Sequence, residues 1–173
     1  RIKTYSIGFQ DSPDLLAARK VAEMIGSEHH EYVVTEEQAL SMLPEVIRQV
    51  ETMDVTTIRA STFMLMLSYY IRDNSDIAVV FSGEGSDEMG SYAYFKRAPD
   101  EASFQREACR LLQELPFYDA QRADRCSAAA GLELRVPFLD KELVEYYMQI
   151  PPGMRTQGGM EKYLLRKACS RSE

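Results

Sequence analysis

The chain has 173 residues, 45% hydrophobic and 27% charged, with a formal net charge of −7. That length and mixture give one domain with a sizeable core and exclude a disordered chain. The acidic balance excludes a general binder of nucleic acid or membrane surface, which needs a basic footprint. No apolar run approaches the ~20 residues of a membrane-spanning helix, and no signal-peptide pattern opens the chain. Cys109, Cys126 and Cys169 are odd in number and widely spaced, which predicts free packing cysteines in a reducing, intracellular setting.

Residues 2–9 predict a strand, with Gly8 near its end. Ser12-Pro13-Asp14 then supplies an N-cap, an N1 proline and a first-turn acid. Leu15, Leu16, Ala18, Val21, Ala22 and Ile25 form a helical stripe that Gly26 ends. A second strand is predicted over 31–34, with His29 and His30 before it. Adjacent strand residues face opposite ways, so the two histidines do not share a metal. Thr35-Glu36-Glu37-Gln38 reads as a capping box opening a helix to Val50, kinked at Pro44. A polar segment, 54–61, leads into a helix carrying Phe63, Met66, Leu67, Tyr70 and Ile71.

Residues 77–81 read as a fully buried strand. The order of strands and helices predicts an α/β fold, a parallel sheet with helices on both faces, followed by a mostly helical half. The boundary falls at residue 92: residues 1–92 form the α/β part and 93–173 the helical part. Helices are predicted over 100–115, 119–130, 140–149 and 161–170.

Ser82-Gly83-Glu84-Gly85-Ser86-Asp87-Glu88 follows the third strand. Three carboxylates and two glycines just past a parallel strand's carboxyl end match the place where open α/β sheets hold ligands. Glycines allow close backbone approach. Exposed N–H groups in such a turn suit phosphate, and carboxylates beside them suit Mg²⁺. The competing reading is an acidic surface turn with Ser86 as N-cap of a following helix.

Several phrases in order carry a resemblance: Tyr5-Ser6-Ile7-Gly8-Phe9, Ser12 to Leu15, Glu51 to Ser61 and Ser82 to Glu88. Arg122 to Arg125, Gly131 to Asp140 and Glu161 to Arg166 continue it. Together they resemble the synthetase domain of the glutamine-hydrolysing asparagine synthetase family, over roughly residues 1–167. The resemblance implies a nucleotide-binding, Rossmann-like fold of the ATP-pyrophosphatase type. It implies a carbon–nitrogen ligase that adenylates aspartate with ATP and Mg²⁺, then amidates it with ammonia from a glutaminase domain outside this chain. A cytosolic location and a homodimeric full-length form are implied too.

By that resemblance Ile7, Gly8, Ser82 and Gly83 contact ATP, and Asp87 serves the metal. Thr56, Thr57 and Arg59 meet aspartate and phosphate, and Glu84 and Arg59 are the catalytic residues. Hydroxyls with a fork-shaped cation suit carboxylate and phosphate oxygens; against this, Thr56 or Thr57 as a helix N-cap with Arg59 at the surface stays open. Arg122, Asp124, Glu133 and Arg135 fit either the same cleft or an internal ion-pair network.

The chain departs from the family in five respects. It has no N-terminal glutaminase cysteine, no Ser-Gly-Gly-x-Asp-Ser phosphate loop and no Trp-Arg-x-Lys-Glu segment. The stretch between Glu88 and Tyr92 is one residue short. The tail 168–173 stops resembling the family and reads as a truncated or aberrant end; with the opening at Arg1 it predicts a piece of a longer protein, inactive alone. Two alternatives stand beside it: a related amide-forming adenylase such as β-lactam synthetase, and a non-catalytic, truncated interaction module.

Overall fold

The computed structural model describes residues 1–170; the last three residues of the predicted aberrant tail lie outside the described residues. Two compact units form, one from residues 1–80 and 122–134, the other from 81–121 and 135–173.

In the first unit, β1 (Lys3–Gly8) and β2 (Glu28–Val33) pair in parallel, Lys3 opposite Glu28 and Gly8 opposite Val33. β2 starts three residues before the predicted strand, because the pairing reaches back to the residue opposite Lys3. Between them runs α1 (Pro13–Ile25), capped by Ser12 and closed by Gly26 at φ 65°. Its stripe is only half used: Leu15 and Ala22 are buried, whereas Leu16, Val21 and Ile25 are exposed.

Side chains on the face of the pair towards α1 are largely polar. The Thr4 hydroxyl lies 2.8 Å from that of Ser27 and 2.9 Å from His29 Nδ1. His29 Nε2 lies 3.1 Å from the Ser6 hydroxyl, and Arg19 donates to both Glu31 oxygens at 2.6 and 2.7 Å. Arg19 holds the Glu31 carboxyl below its ordinary pKa. His30 faces the other way, stacked on Tyr5, so the two histidines occupy opposite faces.

The predicted helix from Thr35 divides into α2 (Glu36–Ser41) and α3 (Leu43–Val50). The capping box is present, Thr35 hydroxyl accepting from the Gln38 N–H and the Gln38 side chain from the Thr35 N–H. Pro44 has no N–H to continue the ladder and disfavours helical geometry before it, so the break comes at Met42.

α4 (Val55–Asn74) is the spine of this unit. Leu65 joins Val46, Val50 and Cys126 in one core cluster. Ile71 joins Ala130 and Leu132 in another, against Tyr5, Leu67 and Val80. Tyr70 stacks on Tyr32 of β2 at 4.8 Å, and Phe63 meets Phe9 edge-on. Cys126 lies on α6 (Asp119–Ala129).

The third strand, β3 (Val79–Phe81), is shorter than predicted and is not fully buried: Val79 and Phe81 are 45% and 77% exposed. Only Val80, pointing the other way, packs on the Ile71 cluster. Its partner is β4 (Glu133–Arg135), which periodicity did not disclose because three residues show no alternation. The Glu133 N–H donates to the Ala78 carbonyl and the Ser82 N–H to the Arg135 carbonyl. Partners thus advance together, as in a parallel pair. The described strands make two separate two-stranded sheets; the chain is α/β with small parallel sheets.

The second unit holds α5 (Glu101–Glu114), α7 (Lys141–Gln149) and α9 (Tyr163–Cys169), close to the predicted spans, and a short α8 (Pro152–Arg155) that was not predicted. Asp100 and Asp140 cap α5 and α7 through the Ser103 and Leu143 N–H groups. Phe95, Phe104 and Ala108 form its core, with Tyr92, Leu111 and Met148 around them. Cys126 is a buried packing cysteine, Cys109 is half-buried, and Cys169 is exposed, contrary to a packing role.

Candidate active site

Ile7 and Gly8 close β1 in the first unit. The Gly8 carbonyl accepts from the Val34 N–H at 3.0 Å. A Cβ on Gly8 would lie 2.6 Å from the Ser12 hydroxyl and 3.1 Å from Leu15 Cγ. The approach of α1 thus already requires glycine there.

Thr56, Thr57 and Arg59 lie in the first turns of α4. The N-cap is Asp54, not either threonine: its carboxylate accepts from the Thr57 N–H at 2.6 Å. That bond, with a further one from the Thr57 side chain, holds the Asp54 carboxyl below the ordinary range. Thr57 is buried and committed to this cap, while Thr56 and Arg59 are exposed. A helix N-terminus favours anions and gives no stabilisation to a cation. Arg59 makes no ion pair among the described residues, so this turn presents its charge outward.

The acidic turn belongs to the second unit. Residues 84–91 are successive turns and no helix begins at Ser86, which removes the N-cap alternative. The Ser86 N–H donates to the Gly83 carbonyl and the Gly90 and Ser91 N–H groups to the Asp87 carbonyl. The Ser82 hydroxyl accepts from the Glu84 N–H at 3.4 Å. Gly85 sits at φ 91°, where a Cβ would fall 2.2 Å from Leu139 Cδ2. Gly83 is exposed, with open space where a Cβ would stand. One glycine serves the packing of the turn, and the other leaves backbone bare to solvent.

The three acids divide. Glu88 is buried and accepts a 2.5 Å hydrogen bond from the Tyr92 hydroxyl. Burial and this carboxylate raise the Tyr92 pKa, so the phenol stays a donor. Glu84 and Asp87 are partly exposed. Asp87 Oδ1 lies 3.0 Å from Lys162 Nζ, which is also 3.0 Å from the Ser86 hydroxyl. Lys162 carried no expectation, although it sits in the quoted phrase Glu161 to Arg166; a separation of 75 positions from Asp87 gives no spacing signal.

Arg155 lies beneath the turn, 1% exposed, donating to the Met89 carbonyl at 3.1 Å and to the Gln105 side-chain oxygen. Burial lowers its pKa. Arg122, Glu133 and Arg135 all make interactions within the structure, and Arg122 reaches the sulfur of Met64 in the first unit at 3.8 Å.

The asparagine synthase family model matches residues 1–101 and 93–172. The chain belongs to the asparagine synthase family. It is 54% identical over 168 residues to the glutamine-hydrolysing asparagine synthetases of Bos taurus and Homo sapiens. The corresponding protein of Gallus gallus is 52% identical over 169 residues. Each match covers 96% of this chain but 30% of the relative.

For a metal, Asp87 can supply one hard oxygen. Among the described residues no group of three or more His, Cys, Asp and Glu side chains is gathered as a metal site. One carboxylate still fits Mg²⁺, which commonly takes one or two carboxylates together with substrate phosphates and waters. No described helix is long and apolar enough to cross a membrane.

Proposed function

We propose that this chain is the nucleotide-binding part of an ATP-dependent ligase that converts aspartate to asparagine. The observation that carries this is the 54% identity to glutamine-hydrolysing asparagine synthetases across 96% of the chain. A carboxylate becomes a good acyl donor once its oxygen is turned into a leaving group. An aspartate side-chain oxygen attacks the α-phosphorus of ATP, and pyrophosphate leaves. Ammonia, released from glutamine by a separate domain, then attacks the acyl carbon, AMP leaves, and the nitrogen gives up its excess proton.

Ile7 and Gly8 at the end of β1 are the adenine contacts in this scheme, and Ser82 with the bare backbone of Gly83 contacts the nucleotide. Thr56 and the unpaired fork of Arg59 meet aspartate and phosphate oxygens, where preorganised donors act most strongly on developing charge. Thr57 contributes by holding Asp54 and so setting this turn. Glu84 is the general base for the amine. Asp87 is the Mg²⁺ ligand; bound there, the metal would neutralise pyrophosphate oxygens.

We assign the two small sheets to one nucleotide-binding sheet of the ATP-pyrophosphatase type with helices on both faces. Residues 1–92 supply the nucleotide-binding part and 93–173 the helical part. The complete enzyme is assigned to the cytosol as a homodimer.

Grafting the matched segment of this chain into a mammalian asparagine synthetase, in place of the corresponding segment there, tests the proposal. The chimera should form asparagine from ATP, aspartate and glutamine. Glu84→Ala should lower that rate by on the order of 10²-fold or more, and the 173-residue chain alone should show no aspartate-dependent ATP–pyrophosphate exchange. A correctly folded but inactive chimera, or one indifferent to Glu84→Ala, counts against it.

A further inference from the structure

Lys162 meets the acidic turn at one point. Its Nζ is 3.0 Å from Asp87 Oδ1 and 3.0 Å from the buried Ser86 hydroxyl. The residue is held in the left-handed region, at φ 55°, just before α9. Beside it, Glu161 is tied to Lys96 at 2.5 Å. The neighbouring Glu161 is thereby occupied by another lysine, and Lys162 faces the turn. A Lys side chain is a compact charge on a flexible stem, able to swing away without breaking the backbone turn that presents it.

We propose that Lys162 is the resident counter-ion of Asp87, and that a divalent cation reaches Asp87 by exchange with the Lys162 ammonium. This rests on the assignment of Asp87 as metal ligand. An ammonium at 3.0 Å occupies Oδ1, one of the two carboxylate oxygens open to a metal, and its charge opposes the approach of a second cation. Exchange resolves both: the stem rotates out, and the oxygen passes from one cation to the other. In the metal-free state the same pair keeps Asp87 from adding its charge to those of Glu84 and Glu88 in one short turn.

Titration of the 173-residue protein with Mn²⁺, followed by the loss of free-ion electron paramagnetic resonance signal, tests this. Lys162→Met should bind Mn²⁺ about fivefold to tenfold more tightly than the parent, as expected for removing one full charge beside the ligand oxygen. Lys162→Gln should do the same, with far-ultraviolet circular dichroism showing that the helices persist. Asp87→Asn should weaken binding and cancel the gain in the double variant. Mn²⁺ bound no more tightly by Lys162→Met and Lys162→Gln than by the parent overturns the exchange. If Asp87→Asn still weakens binding in that case, the metal assignment stands without it; if Asp87→Asn has no effect in any background, the metal assignment falls as well.

Discussion

Asp54 shows how one side chain can set the geometry of a site without touching a ligand. Its carboxylate takes the Thr57 N–H at 2.6 Å, and its own N–H donates to the Thr52 hydroxyl. The bond lowers its pKa in the folded state, so the contribution is complete above the unfolded carboxyl pKa and disappears as pH falls through the folded value. Asp54→Asn keeps a capping side chain but loses the charge. The parent should unfold at a higher urea concentration than Asp54→Asn at pH 7. The gap should close as pH drops below about 4, where an unfolded Asp takes up its proton; a gap constant from pH 7 to 2.5 would show that the charge plays no part.

At the level of elements, Arg155 on the short α8 holds the acidic turn to α5. It donates to the Met89 carbonyl within that turn and to Gln105 on α5, and its guanidinium lies 5.4 Å from the Phe104 ring centre. Arg155→Ala removes the donors and opens a void, which should cost about 3 kcal/mol. Arg155→Met refills the space without the hydrogen bonds and should recover part of that loss. Urea unfolding followed by tyrosine emission, in a chain of 10 Tyr and no Trp, measures both. Amide exchange over residues 84–91 should quicken in each variant.

Elements whose signals are local were legible in the sequence. Ser12 with Pro13, the Thr35–Gln38 box and Gly26 act within four residues, and each stands where local chemistry put it. The third strand was misjudged: an apolar run reads the same whether both faces are covered or one, and here Val79 and Phe81 lie bare. β4 was missed because a three-residue strand owes its existence to its partner. At the site, the acidic turn and Arg59 were visible as residue types in phrases. Lys162 and Arg155 were not, since their contacts with Asp87 and Met89 span 75 and 66 positions and leave no local trace.

For the whole molecule, the matched length matters most. The chain covers 30% of relatives that it matches over 96% of its own length, and it carries large apolar side chains in solvent, Phe81 at 77% and Phe117 at 72% exposed among them. An outward strand edge with bare apolar side chains is a template for association. Phe81→Ser should therefore lower concentration-dependent light scattering while leaving the urea midpoint nearly unchanged. Scattering equal to the parent's at every concentration would place the adhesive surface elsewhere.

The hydroxyls and imidazole under α1 carry a consequence for how β1 finds β2. Greasy contacts tolerate sliding, because one methyl group serves about as well as the next. The set made by Thr4, Ser6, Ser27 and His29 does not. Shifting β2 by a single position to bring His30 opposite Thr4 would turn the His29 ring outward, put Glu28 where Ser27 meets Thr4 and carry Glu31 away from Arg19. Misaligned pairings of β1 with β2 are thus penalised by directional bonds on the α1 side, independently of the aromatic stacking of β2 on α4 on the other.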